Sequence, residues 1–187
     1  AVEDTNEAAS EISILLPHEL AHLFLHTRLG DAYNNLPNWL VEGFAVLQET
    51  QPDPDLRLAL DEALAENDLL SLQSLCGTFP YQTDTALLAY AESASFLQYI
   101  LDTYGPGAFS ALLDAYQEGA SCEDGVSQVF QRDLESLEVE WLSSISSGQG
   151  LNFKSIIPWL LLSLPALLLL IYTLILRNRD RREIQPR

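Results

Sequence analysis

Two histidines four residues apart, His18 and His22, most strongly constrain how this chain can fold. Residues at this spacing lie on the same face of an α-helix, one turn apart, so both imidazoles could reach a single cation. Glu19 follows His18 about 100° around the helix, where its carboxylate could reach a metal-bound water without being a ligand itself. His-Glu-x-x-His on a helix is a zinc-binding pattern in which the Glu acts as a general base. The sequence therefore predicts a helix and a zinc site at this position.

The third ligand must come from another part of the chain, because a catalytic zinc has three protein ligands and one open position. Glu42 follows His22 after nineteen intervening residues. This length allows the first helix to end, the chain to turn at Gly30, and a second helix to run back from Asn38. Glu42 would then lie about one turn into the second helix. We therefore predict one Zn²⁺ per chain, bound by His18, His22 and Glu42.

The segments around Glu42 and farther along the chain resemble a known enzyme family. His-Glu-x-x-His followed after nineteen residues by Glu is the pattern of the gluzincin zinc peptidases, and residues 39–45 (WLVEGFA) resemble the W-L-x-E-G-F-A segment of the aminopeptidase N family. Residues 90–97 (YAESASFL) are similar to that family's Y-x-K-G-A-x-x-L segment, with Glu92 in place of the lysine and Ser93 in place of the glycine. The overall layout resembles the compact peptidase MA-like domains found beside membrane anchors.

This resemblance implies a zinc metallopeptidase, a hydrolase that cleaves peptide bonds through a zinc-activated water. Glu19 would be the general base, and Tyr90 would stabilise the oxyanion, as the tyrosine does in the similar segment. An ordinary core residue is the alternative for Tyr90. Two other functions stay open for the chain: a catalytically inactive zinc-stabilised binding or adaptor module on the membrane surface, and a membrane-tethered helical scaffold without metal. Glu19 argues against the adaptor, because a structural zinc site needs four ligands and no base.

His26 and Glu49 are two further candidates near the metal site. His26 continues the spacing of the other histidines, but it lies about 80° around and about 12 Å along the helix from His18. It therefore cannot share a metal with both His18 and His22, and we interpret it as a surface or packing residue. Glu49 lies seven residues after Glu42 on the same helical face. It could orient a zinc-binding histidine, or it could simply be solvated.

The rest of the sequence predicts a mainly α fold, with a helical zinc-peptidase domain over residues 11–146 and at most one short N-terminal strand. Residues 1–10 are acidic and rich in small side chains, which indicates a disordered leader. Residues 12–16 form a short apolar run that we interpret as the strand, with Pro17 at the start of the first helix. Later helices are expected at 55–67, 84–104, 108–117, 125–131 and 134–146.

Residues 156–176 are the second strong feature, because these 21 residues carry no charge. As a helix they would extend about 31 Å, enough to cross a hydrocarbon core of about 30 Å. A linker at 147–155 precedes this segment, and a tail with five arginines at 177–187 follows it. By the positive-inside rule the tail is cytoplasmic, so we expect a single-pass cell-membrane protein with an extracytoplasmic peptidase domain. A tail-anchored protein would have the reverse orientation.

The charge of the predicted domain limits its partners. Residues 1–153 contain 25 acidic residues and three arginines, a net charge of −22. This charge argues against nucleic acid as a partner. It would favour cationic peptide or protein substrates, or it reflects solubility in high salt. Cys76 and Cys122 are the only cysteines, and they could form a disulfide outside the cytoplasm, although their spacing does not require one.

Overall fold

The computed structural model describes residues 2–51 and 53–149. Within these ranges the chain forms α-helices joined by short turns, and no β-strand occurs there. The α-helices are α1 (Val2–Leu29), α2 (Asn38–Leu47), α3 (Pro54–Glu66), α4 (Thr83–Tyr104), α5 (Pro106–Gln117), α6 (Cys122–Phe130) and α7 (Leu134–Gln149). Two 3₁₀ helices lie at Gly30–Asn35 and Ser74–Cys76. The mainly α fold class predicted from the sequence is therefore confirmed for this part of the chain.

Helix α1 begins much earlier than the sequence indicated. The strand prediction for residues 12–16 was wrong, because these residues lie within α1. A short apolar run does not distinguish a strand from a helix, and the described residues contain no strand that could pair with it. Residues 2–10, predicted as a disordered leader, are helical as well, since each residue added to an existing helix gains a hydrogen bond. Pro17 lies inside α1 and removes one backbone donor there.

The turn after α1 sends the chain back along that helix. Gly30 follows the last residue of α1 with a φ of +58°, a left-handed conformation that costs glycine little. The 3₁₀ helix Gly30–Asn35 continues the reversal, and α2 then starts after Pro37, whose carbonyl accepts hydrogen bonds from the amides of Leu40 and Val41. The predicted turn at Gly30 and the predicted second helix from Asn38 agree with these bounds.

Three aromatic side chains form the centre of the core. Trp39 on α2, Phe96 on α4 and Trp141 on α7 have no exposed surface. The ring of Phe96 lies edge-on to both indoles, with centroids 4.9 Å from Trp39 and 5.7 Å from Trp141. The indole of Trp141 also donates a hydrogen bond to Oγ of Ser95 at 3.1 Å. Burying large aromatic surfaces stabilises the fold, and these contacts fix α2 against α4.

Gly43 allows α2 and α4 to approach each other closely. A Cβ atom at this position would lie 2.5 Å from the backbone oxygen of Ser93, closer than any real Cβ contact. Only glycine fits without moving one of the two helices. Gly43 is the residue next to Glu42, so this contact also fixes the part of α2 that carries the predicted third metal ligand.

Cys76 and Cys122 form a disulfide bond that connects the 3₁₀ helix Ser74–Cys76 to the start of α6. Their Cα atoms are 6.0 Å apart, and they are separated by 46 residues in sequence. In the chain-entropy description, closing a loop of this size stabilises the folded state by about 4 kcal/mol. The bond thus joins two segments that lie far apart along the chain.

The predicted membrane span at 156–176, with its flanking tail, lies outside the described residues. None of the helices in the described part of the chain is long and apolar enough to cross a bilayer.

Candidate metal centre

Helices α1 and α2 carry the three predicted metal ligands. His18 and His22 lie one turn apart on α1, with ring centroids 5.0 Å apart. Glu42 lies on α2, which runs back beside α1. One ligand atom from each of the three residues lies within 4.8 Å of the other two. The structure therefore brings together residues that are up to 24 positions apart in the sequence.

The donor atoms fit a zinc ion. Oε2 of Glu42 lies 3.8 Å from Nε2 of His18 and 3.6 Å from Nε2 of His22. Ligands bound tetrahedrally about 2.0–2.2 Å from zinc lie about 3.4 Å from one another, so only small side-chain movements separate these positions. The three side chains are 15 to 22% exposed, which leaves the site open to solvent on one side. Among the described residues, no other group of three His, Cys, Asp or Glu side chains is arranged to hold a metal.

Glu49 contacts the ring nitrogen of His18 that faces away from Glu42. Its Oε1 lies 2.8 Å from Nδ1 of His18, a short hydrogen bond between partly buried groups. A carboxylate accepts the hydrogen bond, so Nδ1 carries the hydrogen, and in a neutral imidazole Nε2 then keeps its lone pair on the side of Glu42. Of the two roles considered for Glu49 from the sequence, this contact matches the one that orients a histidine.

Tyr33 is a residue of the site that the sequence did not indicate. It lies in the 3₁₀ helix between α1 and α2, and its hydroxyl is 3.3 Å from Nδ1 of His22. Its position depends on the path of the turn, because Tyr33 lies beyond the end of α1 and helical spacing from the histidines does not place it. The available signal was weak: a tyrosine in the short connection between two helices that both carry ligands.

Glu19 lies close enough to Glu42 for its negative charge to act on that carboxyl group. Burial raises the pKa of Glu42, the imidazoles of His22 and His18 lower it, and the negative charge of Glu19 raises it again. The carboxylate of Glu19 is therefore close enough to interact with Glu42, yet it is not part of the ligand cluster. Its side chain is exposed. A carboxylate beside a metal site, not bound to the metal, is available to accept a proton from water.

Tyr90 lies on α4, within electrostatic reach of Glu42. Burial raises the pKa of its hydroxyl, and the negative charge of Glu42 raises it further, so the phenol is within electrostatic reach of the third ligand. The ring packs edge-on against Phe79, with centroids 5.3 Å apart. Tyr90 is thus both a packing residue and a neighbour of the ligand cluster. Its hydroxyl is protonated at neutral pH and can donate a hydrogen bond.

Comparison with known protein families assigns this chain to a superfamily. The model of the peptidase MA superfamily matches residues 7–147, a range that contains every site residue described above. The chain belongs to the peptidase MA superfamily. It therefore carries a domain of a protease superfamily whose members typically depend on zinc. No curated protein and no solved structure matches the chain significantly.

Glu92 and Ser93 are buried in the core of this peptidase MA domain. Both side chains have no exposed surface. Oε1 of Glu92 accepts a hydrogen bond from the backbone amide of Leu70 at 2.9 Å. Burial raises the pKa of Glu92 to about 8; the bond from Leu70 lowers it and the charge of Glu138 raises it. Oε2 of Glu92 and Oγ of Ser93 have no hydrogen-bond partner among the described residues.

His26 lies outside the ligand cluster of the peptidase MA domain, on the exposed part of α1 one turn beyond His22. Its ring packs against Tyr33, with centroids 5.6 Å apart. Three histidines on one helix thus have three different surroundings: His18 is bonded to Glu49, His22 lies next to the hydroxyl of Tyr33, and His26 packs against the ring of Tyr33. The first two are placed to bind a metal.

Proposed function

We propose that this chain is a membrane-anchored zinc peptidase of the gluzincin type, in which His18, His22 and Glu42 hold one zinc ion. The observation that carries the proposal is the convergence of these three side chains in a domain of the peptidase MA superfamily. The contact between Glu49 and His18 supports it as well, because zinc-binding histidines usually donate a hydrogen bond from their second ring N–H to a carboxylate or carbonyl.

In this proposal, Glu19 and Tyr90 are the catalytic residues, and neither is a zinc ligand. Bound zinc would polarise the scissile carbonyl and make a water molecule acidic. Glu19 takes the proton from the attacking water and passes it to the leaving amine. Tyr90 donates a hydrogen bond to the carbonyl oxygen as negative charge develops on it. Three protein ligands leave one position for water and substrate, whereas a purely structural zinc site has four ligands.

A single comparison tests the reaction. The purified chain and its Glu19→Gln variant are incubated with a peptide library, and zinc is quantified in both. We expect hydrolysis by the wild type only, with about one zinc per chain in both proteins, because Glu19 is a base and not a ligand. Zinc in both proteins without hydrolysis by either would indicate the alternative, an inactive zinc-stabilised binding or adaptor module. Loss of zinc in the variant would show that Glu19 is a ligand.

We place the domain outside the cytoplasm, anchored by residues 156–176. The uncharged segment and the arginine-rich tail support this orientation. The disulfide between Cys76 and Cys122 supports it independently, because such bonds persist mainly in oxidising compartments. Protease added to intact cells should digest the domain. Protection until the cells are lysed would favour the tail-anchored orientation.

A further inference from the structure

The disulfide bond between Cys76 and Cys122 contacts the helix that carries Glu42. Nε1 of Trp39 donates a hydrogen bond to Sγ of Cys122 at 3.4 Å. Trp39 has no exposed surface and lies on α2, three residues before Glu42. Residues three apart on a helix are neighbours on its surface. The disulfide is thus in contact with a buried side chain that lies next to the third proposed zinc ligand.

Cys122 also connects α2 to other parts of the fold. Its backbone oxygen accepts a hydrogen bond of 3.0 Å from the hydroxyl of Tyr116, a fully buried residue on α5. Its sulfur is bonded to Cys76, which lies in a 3₁₀ helix that contacts α2. Two buried donors and one covalent bond therefore meet at Cys122. Of these three contacts, only the covalent bond can be removed by a redox reaction.

The other end of the disulfide is close in sequence to the packing partner of Tyr90. Phe79 follows Cys76 by three residues, and its ring packs edge-on against Tyr90, with centroids 5.3 Å apart. Three residues of chain span at most about 11 Å, so fixing Cys76 restricts the movement of Phe79. The disulfide therefore constrains both the helix of the third ligand and the contact of the proposed oxyanion donor.

Reduction of the disulfide removes this constraint. Both cysteine residues are partly exposed, and thiol–disulfide exchange requires such access. A dithiol reduces the bond in two exchange steps, in which its own two thiols are oxidised to a disulfide. Cys76 and Cys122 receive the two electrons and two protons and become thiols. Each sulfur can then rotate independently, and Sγ of Cys122 is no longer held at the indole of Trp39.

We propose that the Cys76–Cys122 disulfide is a redox switch that acts on α2 and thereby on the zinc site, with tighter zinc binding in the oxidised form. This inference rests on the proposed zinc peptidase function and adds its regulation. Groups that support a ligand without touching the metal change metal affinity by about 10- to 100-fold. Because the disulfide acts through Trp39 and the backbone of α2, we expect a change of about tenfold, the lower end of that range.

The first test measures zinc affinity of the purified chain and of a double variant, Cys76→Ser/Cys122→Ser, by competition with a chromophoric chelator. Serine replaces each reduced cysteine without adding a thiolate that could bind zinc itself. We expect about tenfold weaker binding in the double variant, with circular dichroism showing that it is folded. Wild-type affinity in the double variant would overturn the inference. Unfolding of the double variant would overturn it as well, because the bond would then be a condition of folding and not a switch.

The route through Trp39 is tested with Trp39→Phe and a matched control, Trp141→Phe. Both indoles are fully buried, lie edge-on to Phe96 and donate a hydrogen bond, but that of Trp141 goes to Ser95 on α4. We expect weaker zinc binding in Trp39→Phe only. Adding the two serines to Trp39→Phe should cause little further loss, because the two changes break the same contact. Equal weakening in Trp141→Phe would show general destabilisation and overturn the inference.

A second measurement needs no zinc. Hydrogen exchange of the backbone amides is followed in the metal-free chain before and after reduction with dithiothreitol, a dithiol. We expect faster exchange in α2 after reduction and unchanged exchange around Trp141 in α7. Unchanged exchange in α2 would overturn the inference. A chain that binds no zinc in either form but shows faster exchange in α2 would contradict the proposed function and support the coupling of the disulfide to α2.

Discussion

Glu42 and Glu92 are both withdrawn from solvent, and burial raises the pKa of both, but the two carboxyl groups have opposite surroundings. Glu42 lies beside two imidazoles that favour its charged form. Glu92 has one backbone amide as a partner, a second oxygen without a partner among the described residues, and the like charge of Glu138 nearby. The surroundings of Glu42 thus favour binding of a cation, whereas the surroundings of Glu92 favour the protonated carboxyl group.

The comparison shows that burial alone does not identify a functional carboxylate. Glu92 is more deeply buried than Glu42, and its pKa is raised to about 8. Its neighbours nevertheless offer no ligand set, since the metal cluster consists of His18, His22 and Glu42. What distinguishes the metal site is the chemistry of the groups that face the carboxylate.

The largest expected effect is on zinc affinity, and it follows from removing the carboxylate of Glu42, which faces the two imidazoles. Glu42→Ala should weaken zinc binding by more than about 100-fold, because loss of a ligand costs more than loss of an outer-shell partner. Zinc affinity and stoichiometry are measured on the purified chain, with circular dichroism to confirm folding. Glu62→Ala, which removes an exposed glutamate from α3, is the control. Unchanged zinc affinity in Glu42→Ala would show that Glu42 is not a zinc ligand.

The next effect concerns Tyr90, which lies on α4 two residues before Glu92 but within reach of Glu42. If its hydroxyl stabilises the developing oxyanion, Tyr90→Phe should lower kcat by roughly 10²- to 10³-fold, as for loss of one oxyanion donor. KM, zinc content and Tm should change little, because the ring still packs against Phe79. Steady-state kinetics on a cleaved library peptide measures this. Tyr81→Phe, at a side chain that is 98% exposed, is the control. A kcat equal to that of the wild type in Tyr90→Phe would show that the hydroxyl has no catalytic role and that Tyr90 is only a packing residue.

The sequence was informative where the geometry is local. Four-residue spacing places His18 and His22 on one helical face with no knowledge of the rest of the fold. Glu42 required only a turn and a second helix, which Gly30 and Asn38 signalled. The structure places these three residues together as that reasoning expected.

Non-local features could not be predicted from spacing. The partner of Glu92 is the amide of Leu70, 22 residues away and on a non-helical segment between α3 and the 3₁₀ helix Ser74–Cys76. Tyr33 reaches His22 only because of the path of the 3₁₀ turn. The strand predicted at residues 12–16 was wrong for a related reason, because a run of five residues, four of them apolar, does not distinguish the periodicity of a strand from that of a helix.

The last expected effect is on stability and not on function: it is a change in how the free energy of unfolding depends on pH, and it tests the proton assigned to Glu92. The pKa of Glu92 is raised to about 8 in the folded protein, above its ordinary value near 4.5. Between these two values the folded state binds more protons than the unfolded state, so the stability contributed by this group falls as pH rises. It is fully present below about pH 4.5 and is lost above about pH 8. The steepest slope for one proton is about 1.4 kcal/mol per pH unit.

Glu92→Gln isolates this contribution, because the amide oxygen can still accept the hydrogen bond from Leu70 while the side chain no longer ionises. The free energy of unfolding is measured by denaturant titration from pH 5 to pH 9 for the wild type, Glu92→Gln, and Glu118→Gln as an exposed control. We expect the variant and the wild type to be similar near pH 5, and the variant to become the more stable by a few kcal/mol near pH 9. Glu138 is present in both proteins, so the difference between them reports mainly on Glu92. Parallel curves for wild type and variant would mean that Glu92 is ionised throughout this range, and that its second oxygen has a partner that keeps it charged.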